Sequence, residues 1–349
     1  MANNYSLPEA INYLVNAAHK APSADNSQPW HFTWERDTLV VKFDKNRANR
    51  LFSANSHAIR LSMGAVLENL SLAQHAAGLI THWQSGNNPG EYARINLDGN
   101  SQIPENAWHH PLFSRHTNRG PFQKRGLSTS LLEQLTSIRE GDIQLQVFCD
   151  KLQIRKISSL VKTASEMRFQ MQELHEWLAE SLRFTPSEVA RGDGLDIQTL
   201  ALPFGGRLLL QLIKEWKRMA ILNHLGAYRM LAAIEAANLI KTAAVIAVTG
   251  PSGREHELDA GRTMERAWIL INASGAAVHP YYVVSDQLIR IRDGKIPQHL
   301  HATANNLIKK KNAFFGEPIN IHMLLRVGYP KHPYIQSQRI PLESVISKV

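Results

Sequence analysis

Apolar positions fall at helical spacing early in the chain. Ile11, Leu14, Val15 and Ala18 share one face behind Ser6-Leu-Pro-Glu9, which reads as a capping box, and Pro22 ends the run. Between Trp30 and Phe43 the period changes to two around Glu35-Arg-Asp37, which predicts a β-hairpin with arms at 31–34 and 38–43. A long helix is expected over 57–77, with Ile59, Met63, Val66, Leu67 and Leu70 inward and Gly78 just past its end. Ala58, Ser62, Gly64 and Ala65 on that helix are small enough for another helix to approach closely. A short strand follows over 92–97, and Ser130-Leu-Leu-Glu133 reads as the cap of a further helix. Strands are predicted at 143–149 and 241–249, the second with Ala243, Val245 and Ala247 on one face and Ala244, Ile246 and Val248 on the other. A helix over 257–277, a short strand over 281–285 and an alternating strand over 319–327 complete a sheet with long helices. This is an α+β arrangement rather than regular βαβ repetition.

Two further patterns concern organisation. Gly64-x-x-x-Glu68 followed by Gly78 recurs as Gly261-x-x-x-Glu265 followed by Gly275, at a constant offset of 197 residues and inside two apolar helices. The recurrence suggests a duplication; two unrelated helices with small packing residues would also produce it. The stretch 154–241 fits neither copy. Val161, Met167, Met171, Leu174 and Leu178 predict one amphipathic helix, and Leu208 to Ile213 with Trp216 a second, after the Gly205-Gly206 pair. Such a helical excursion suits a lid over a ligand, with Leu208, Leu209, Leu212 and Trp216 as its shielding face, or equally an arm that widens a subunit interface.

At 349 residues, 44% hydrophobic and 20% charged, the chain has the composition of a globular protein of about two domain-sized units. Disordered and collagenous classes are excluded. The single cysteine, Cys149, forms no intramolecular disulfide and is expected as a buried apolar residue. With no signal-peptide pattern at the start and no long apolar run, a cytoplasmic, soluble protein without membrane contact is expected. The net charge of +9 favours anionic ligands, but its scattered basic residues and the lack of nucleic-acid motifs argue against nucleic acid as a partner.

Chemistry concentrates in two segments. In Ala21-Pro-Ser-Ala-Asp-Asn-Ser-Gln-Pro-Trp30, Pro22 and Pro29 fix the path of a polar stretch whose Ser23, Asn26 and Gln28 can offer hydroxyl and amide groups to a flat heteroaromatic ring or a phosphate. A structural turn would use the same residues. Arg115-His-Thr-Asn-Arg119 gathers two guanidinium forks, which match phosphate oxygens, and a solvated turn is the alternative. His109, His110 and His116 lack a carboxylate at metal-ligand spacing, so no metal site is assigned, and His116 is read as a polar neighbour of an anion site. Ser252-Gly253 reads as a loop and helix cap, with anion binding as the alternative. No nucleophile elbow, dinucleotide fingerprint, phosphate-binding Walker loop or His-Glu-x-x-His is present, and no catalytic side chain is named.

The segment Ala-Pro-Ser-x-x-Asn-x-Gln-Pro-Trp at 21–30 resembles the flavin-contacting segment of the FMN-dependent nitroreductase superfamily, and Arg-His-Thr-Asn-Arg at 115–119 resembles that superfamily's phosphate motif. Their order is reversed here. That order, with 261–280 and Ser-Gln-Arg-Ile-Pro at 337–341, resembles the tandem single-chain branch that includes mycobacterial Acg proteins. The resemblance implies a nitroreductase-like fold of two related halves, 1–112 and 113–349, forming an internal pseudo-dimer, with 154–241 inserted as a helical lid or arm. It further implies FMN held by Pro22, Ser23, Asn26 and Gln28 from one half and Arg115, His116, Thr117, Arg119, Pro280 and Arg339 from the other. Thr117 stands where Ser is usual, and Ile340 replaces a second basic residue. The implied activity is NADH- or NADPH-dependent oxidoreduction, hydride passing through FMN to a small-molecule electron acceptor such as a nitroaromatic or quinone. A non-catalytic FMN-sequestering protein whose lid covers the flavin is the alternative. The oligomeric state, monomer or homo-oligomer, is left open.

Overall fold

The computed structural model describes residues 7–48, 51–98 and 102–349. The proposed capping residue Ser6 lies outside these. The first helix, α1 (Glu9–His19), follows Pro8 and buries Ile11, Leu14, Val15 and Ala18. Then come β1 (Trp30–Glu35), β2 (Thr38–Phe43), α2 (His57–Ala77), β3 (Thr81–Ser85) and β4 (Glu91–Leu97). Five of these six elements match the hydrophobic pattern closely. The exception is β3, a largely exposed edge strand whose residues carry little apolar alternation.

Next are α3 (Thr129–Ser137), β5 (Arg139–Glu140) and β6 (Ile143–Phe148). The cap of α3 is Ser128, whose hydroxyl accepts from the Leu131 amide, so the expected cap at Ser130 is two residues late. Cys149 sits just beyond β6, beside the Asp150 cap of the next helix, and is exposed rather than buried. The excursion is helical throughout most of its length: α4 (Lys151–Arg168), α5 (Gln172–Ser181), β7 (Leu182–Arg183), α6 (Pro186–Val189), β8 (Leu195–Asp196), α7 (Gly206–Ile213), α8 (Trp216–His224) and α9 (Ala227–Ile240). The single amphipathic helix expected through Leu178 is two helices, broken around Phe169–Met171.

The remaining elements are β9 (Ala244–Gly250), α10 (Arg254–Ala273), β10 (Ala277–Tyr281), α11 (Val283–Arg292), α12 (His301–Phe315), β11 (Asn320–Gly328) and β12 (Ile346–Lys348). Two expectations fail here. The helix over 257–277 stops at Ala273 because Gly275, at φ 78°, turns the chain into β10. The strand expected over 281–285 is instead the junction of β10 and α11, where β-branched Val283 and Val284 open a helix packed into the core. Propensity yields there to burial.

Rather than one sheet, ten of the strands form two five-stranded sheets, in the orders β12-β1-β2-β4-β3 and β5-β6-β9-β11-β10, and β7 and β8 pair by themselves. Four consecutive strands in each follow the same plan. β1, β2, β4 and β3 pair antiparallel in that order, as do β6, β9, β11 and β10, and in both the long helix leaves the second strand and returns at the edge. The main core fills the space between the sheets and around α1, α2 and α10, with Phe32 and Val41 from one sheet and Ile246, Val248, Leu325 and Val327 from the other. Val245, Ala247 and Leu324 face the opposite way into a second core under α4, α11 and α12. The double-faced burial expected for 241–249 is therefore met from Ala244 onward.

Helices α2 and α10 meet backbone to backbone. A Cβ on Gly64 would lie 2.0 Å from the Leu258 carbonyl oxygen, and one on Gly261 would lie 2.2 Å from that of Leu61. The two contacts are related by the 197-residue offset seen in the sequence. Glu68 and Glu265, four residues beyond each glycine, are both buried and both face arginines: Glu68 pairs with Arg262 and Arg266, and Glu265 with Arg115. Gly64→Ala or Gly261→Ala forces these backbones apart, and urea denaturation is expected to show a loss of about 3 kcal/mol or more. Gly78→Ala, where nothing crowds the Cβ, should cost only the left-handed backbone strain of about 1–2 kcal/mol. Wild-type stability in Gly64→Ala would contradict the crossing.

Candidate functional site

A cavity of about 320 Å³ opens beside this crossing, floored by Ala58, Leu61 and Ser62 of α2 and Met264 and Trp268 of α10. One wall is the turn after α1. Backbone at Asp25, Asn26 and Gln28 has φ of 47°, 58° and 50°, left-handed positions on either side of a right-handed Ser27 that pack the polar segment tightly. Pro22, Ser23, Asp25 and Asn26 reach the cavity. Gln28 does not. It is fully buried, its amide donates to the Asn26 and Gly192 carbonyls, and its Oε1 accepts from the Ile340 amide. Ser23 accepts from the Gln28 amide, and Asn26 donates to the Gly192 and Gln338 carbonyls. Much of this segment's polarity therefore builds the wall itself.

The second wall is the 115–119 segment lying against β10. Thr117 bridges Val278 in parallel register and the Asn118 amide donates to the Val278 carbonyl. The His116 amide donates to Asn272 and its carbonyl accepts from Trp268 Nε1, both at 2.8 Å, so α10 holds the segment in place. Arg115, His116, Thr117, Arg119, His279 and Pro280 all line the cavity. Pro280 is tolerated because β10 is an edge strand, with no ladder donor required on its open side. Arg339 arrives from the segment before β12 and donates to the Lys20 carbonyl, as Arg115 does.

The cavity is rich in cation and poor in counter-charge. Lys20, Arg115, Arg119, Arg168 and Arg339 line it, against Asp25, Glu235 and Asp286. Nη1 of Arg115, Nη1 of Arg339 and Nδ1 of His279 are buried with no hydrogen-bond partner. Arg115 Nε lies 3.0 Å from Glu265, an ion pair whose atoms are not aligned as a hydrogen bond. Burial, reinforced by Arg115, lowers the Arg339 guanidinium to about 9. Burial, reinforced by Arg339 and Arg115, also lowers Lys20. Burial raises Glu265 to about 7 in spite of Arg115, which leaves the arginines less neutralised still. Unpaired buried donors and mutually repelling cations are costly unless an anion completes the site.

No protein-family model matches the chain. It is 22% identical over 276 residues to an uncharacterized Mycobacterium tuberculosis protein, MT1398, covering 76% of this chain and 38% of that one. To the acg protein of M. tuberculosis, named for a conjectured NAD(P)H nitroreductase activity, it is 26% identical over 158 residues, 44% of this chain and 48% of that one. The chain thus spans half or less of the length of these relatives. A Serratia protein named "Probable NAD(P)H nitroreductase PigM" is 22% identical across 80% of this chain and 82% of its own length. Among solved structures, the FMN-dependent nitroreductase NfnB of Mycobacterium smegmatis, in complex with NADPH, matches at 14% identity and TM-score 0.39, over 68% of this chain and 95% of that one. The relatives with activity in their names, at 26% and 22% identity, are both named as NAD(P)H nitroreductases. The fold is α+β, as the sequence pattern predicts. Among the described residues no helix is long and apolar enough to cross a membrane, and no three His, Cys, Asp or Glu side chains gather as a metal site.

Of the ten residues that the superfamily resemblance singled out, nine line the cavity, and Gln28 lies behind its wall. The shielding face expected on α7 and α8 does not. Leu208 and Leu212 are 71% and 53% exposed, and neither they, Leu209 nor Trp216 borders the cavity. Cover comes instead from the earlier part of the excursion, through Arg168 of α4 and Leu174, Trp177 and Leu178 of α5, with Phe52 set edge-on to Trp177 at 4.7 Å. Helical periodicity marks which side chains share a face, not which face meets a ligand, so the more apolar stripe misled. Sequence reasoning also missed Lys20, Tyr282 and Asp286, which carry no motif and converge only through the fold.

Because Glu265 holds its proton more tightly in the folded chain than the ordinary value of 4.5, folding is favoured at low pH, and this contribution is lost as pH rises from about 4.5 through about 7. Glu265→Gln should flatten the pH dependence of the urea midpoint across that window. An unchanged slope would refute the buried, proton-holding carboxyl.

Proposed function

We propose that the chain binds FMN in this cavity and acts as an NAD(P)H-dependent flavin oxidoreductase of nitroreductase type. The observation that carries the reading is the set of unpartnered guanidinium nitrogens on Arg115 and Arg339, beside Lys20 and Arg119, in a cavity otherwise walled by Trp177, Met264 and Trp268. Arginine forks suit a phosphate, and the apolar and aromatic surfaces suit a flat ring. Bound there, FMN would supply hydride transfer from NADH or NADPH to a small electrophilic acceptor such as a quinone or nitroaromatic. The chain's own work is then binding and exclusion. Arg115, Arg119 and Arg339 neutralise the phosphate, the 22–26 turn and Pro280 flank the ring, and α5 limits access.

The reading includes an internal pseudo-dimer of the halves 1–112 and 113–349. The shared strand plan of the two sheets and the reciprocal Gly64 and Gly261 contacts support it. In it, the 22–26 turn of one half faces the arginines of the other, so one FMN per chain is expected. Arg119→Ala and Arg339→Ala should each weaken FMN binding about 10–100-fold, as loss of a charge-assisted contact of about 1.5–3 kcal/mol implies, and riboflavin binding far less. Ser23→Ala should cost less than either. Fluorescence titration measures both, and wild-type FMN affinity in both arginine variants would refute the phosphate assignment.

A second reading, flavin sequestration, is favoured by the cover that Leu174, Trp177 and Leu178 place on the cavity. Stopped-flow reduction by NADPH separates the two. Slow bleaching that accelerates in Trp177→Ala supports sequestration, whereas rapid bleaching and quinone turnover by the wild-type chain support the enzyme. Leu208→Glu should leave both rates unchanged, since that side chain stands in solvent away from the cavity.

A further inference from the structure

The last three helices of the excursion carry apolar side chains on two faces where the fold uses only one. In α9, Ala232, Ala236 and Leu239 are buried on the side packed against α4, whereas Met230, Ile234 and Ala237, on the opposite side by their spacing, stand in solvent. In α8, Met219 is buried, while Ile221 and Leu225 share another face and are 66% and 83% exposed. In α7, Ile213 is buried and Leu208 and Leu212 are exposed. Phe204, in the loop before α7, stands entirely in solvent. The three helices are consecutive and α8 packs on both of the others, so these side chains belong to one outer layer of the molecule. Apolar side chains gathered in this way mark an interaction surface.

The charge of the layer says what covers it. Residues 201–241 hold six Lys and Arg against Glu215 and Glu235. Glu235 is spent inward, paired with Arg168 at the cavity. Lys217 and Arg218 stand four and three residues before Ile221 and share its outward face. Arg207 and Lys214, seven residues apart, lie along one flank of the α7 leucines. Arg218 is 3.5 Å from Glu215, but Arg207 donates to the Phe184 carbonyl, Lys214 lies over the Phe184 ring and Arg229 over the Tyr228 ring, contacts that leave the positive charge uncancelled. A second copy docked on this face about a two-fold axis would set these cations against their own counterparts. A bilayer with anionic headgroups does the reverse. It receives protruding apolar side chains at its acyl boundary and meets Lys and Arg at headgroup level, with no spanning segment required.

We propose that the layer formed by α7, α8 and α9 docks the chain on a membrane that contains anionic lipid. Phe204, Leu208, Leu212, Ile221 and Leu225 enter the acyl boundary, and Lys214, Lys217 and Arg218 contact the headgroups. The proposal departs from the expectation of a chain without membrane contact, which follows from the lack of a spanning segment and a leader; an interfacial layer needs neither. None of these side chains borders the flavin cavity, so docking stands independently of the cofactor.

Sedimentation of the full chain with sucrose-loaded vesicles tests it. The chain should pellet with vesicles of phosphatidylglycerol mixed into phosphatidylcholine, stay in the supernatant with phosphatidylcholine alone, and be released as salt is raised. Leu208→Glu and Leu212→Glu should each lower the partition coefficient about tenfold or more, as loss of one inserted leucine implies. Lys217→Gln and Arg218→Gln should each lower it about fivefold. All four side chains are exposed, so the variants should keep the wild-type urea midpoint. Equal binding to neutral and anionic vesicles overturns the proposal, as does wild-type binding by both leucine variants. A chain that binds neither kind of vesicle also overturns it; where such a chain sediments as a dimer that Leu208→Glu dissociates, the occupant of the face is a second copy.

Discussion

Two helices can cross with their backbones in contact only where neither carries a Cβ, and the rest of this molecule hangs on one such crossing. Gly64 of α2 and Gly261 of α10 occupy it, each filled by the other helix's carbonyl. The close approach sets the separation of the two sheets that share the core, and it brings Glu68 and Glu265 inside, where each needs arginines from elsewhere in the chain. The cavity floor is the margin of the same crossing, with α2 and α10 contributing adjacent strips of it. A side chain at either glycine would therefore be felt in the site as well as in stability.

Around that floor the electrostatics are deliberately unfinished. Arg115 is shared between the carboxyl of Glu265 and the Lys20 carbonyl and still leaves one guanidinium nitrogen unpaired; Arg339 also donates to the Lys20 carbonyl and leaves Nη1 unpaired. Folding alone gives little reason to bury Arg115 and Arg339 beside a carboxyl, that of Glu265, whose own burial favours its neutral form. An anionic ligand gives one: it restores the charge balance, and its phosphate would return Arg339 toward its ordinary value. The proposed cofactor and the buried arginines then stabilise each other, by the same linkage that couples any ligand to folding.

The proposed halves share a backbone plan but not a chemistry. At the 197-residue offset the counterpart of His57 is Arg254, which lies over the Tyr92 ring and donates to the Glu91 carbonyl. The hydrogen-bonded line from Tyr282 through His57 to His322 therefore exists at one end of the helix pair, the end where the cavity lies. The repeated backbone plan offers two equivalent positions, and the side chains at them differ.

Much of this was legible in the residues themselves, because the relevant physics is local. Period-two and period-3.6 burial located the hairpin, α2 and β9, since a strand or helix with one buried face must repeat its apolar residues at its own pitch. Gly78 ended α2 where expected, because only a residue without Cβ takes that backbone turn cheaply. The 22–26 and 115–119 segments announced their polarity by composition. What required the tertiary structure was everything decided by neighbours distant in sequence. Val283 and Val284 became helix because a core received them, Gln28 was drawn behind the wall by the Gly192 and Ile340 backbone, and the cavity was covered by α5 rather than by the more apolar α7. The Tyr282, His57 and His322 line spans 265 residues of sequence, and three common side chains so far apart carry no pattern until folding brings their nitrogens and oxygen within hydrogen-bond reach.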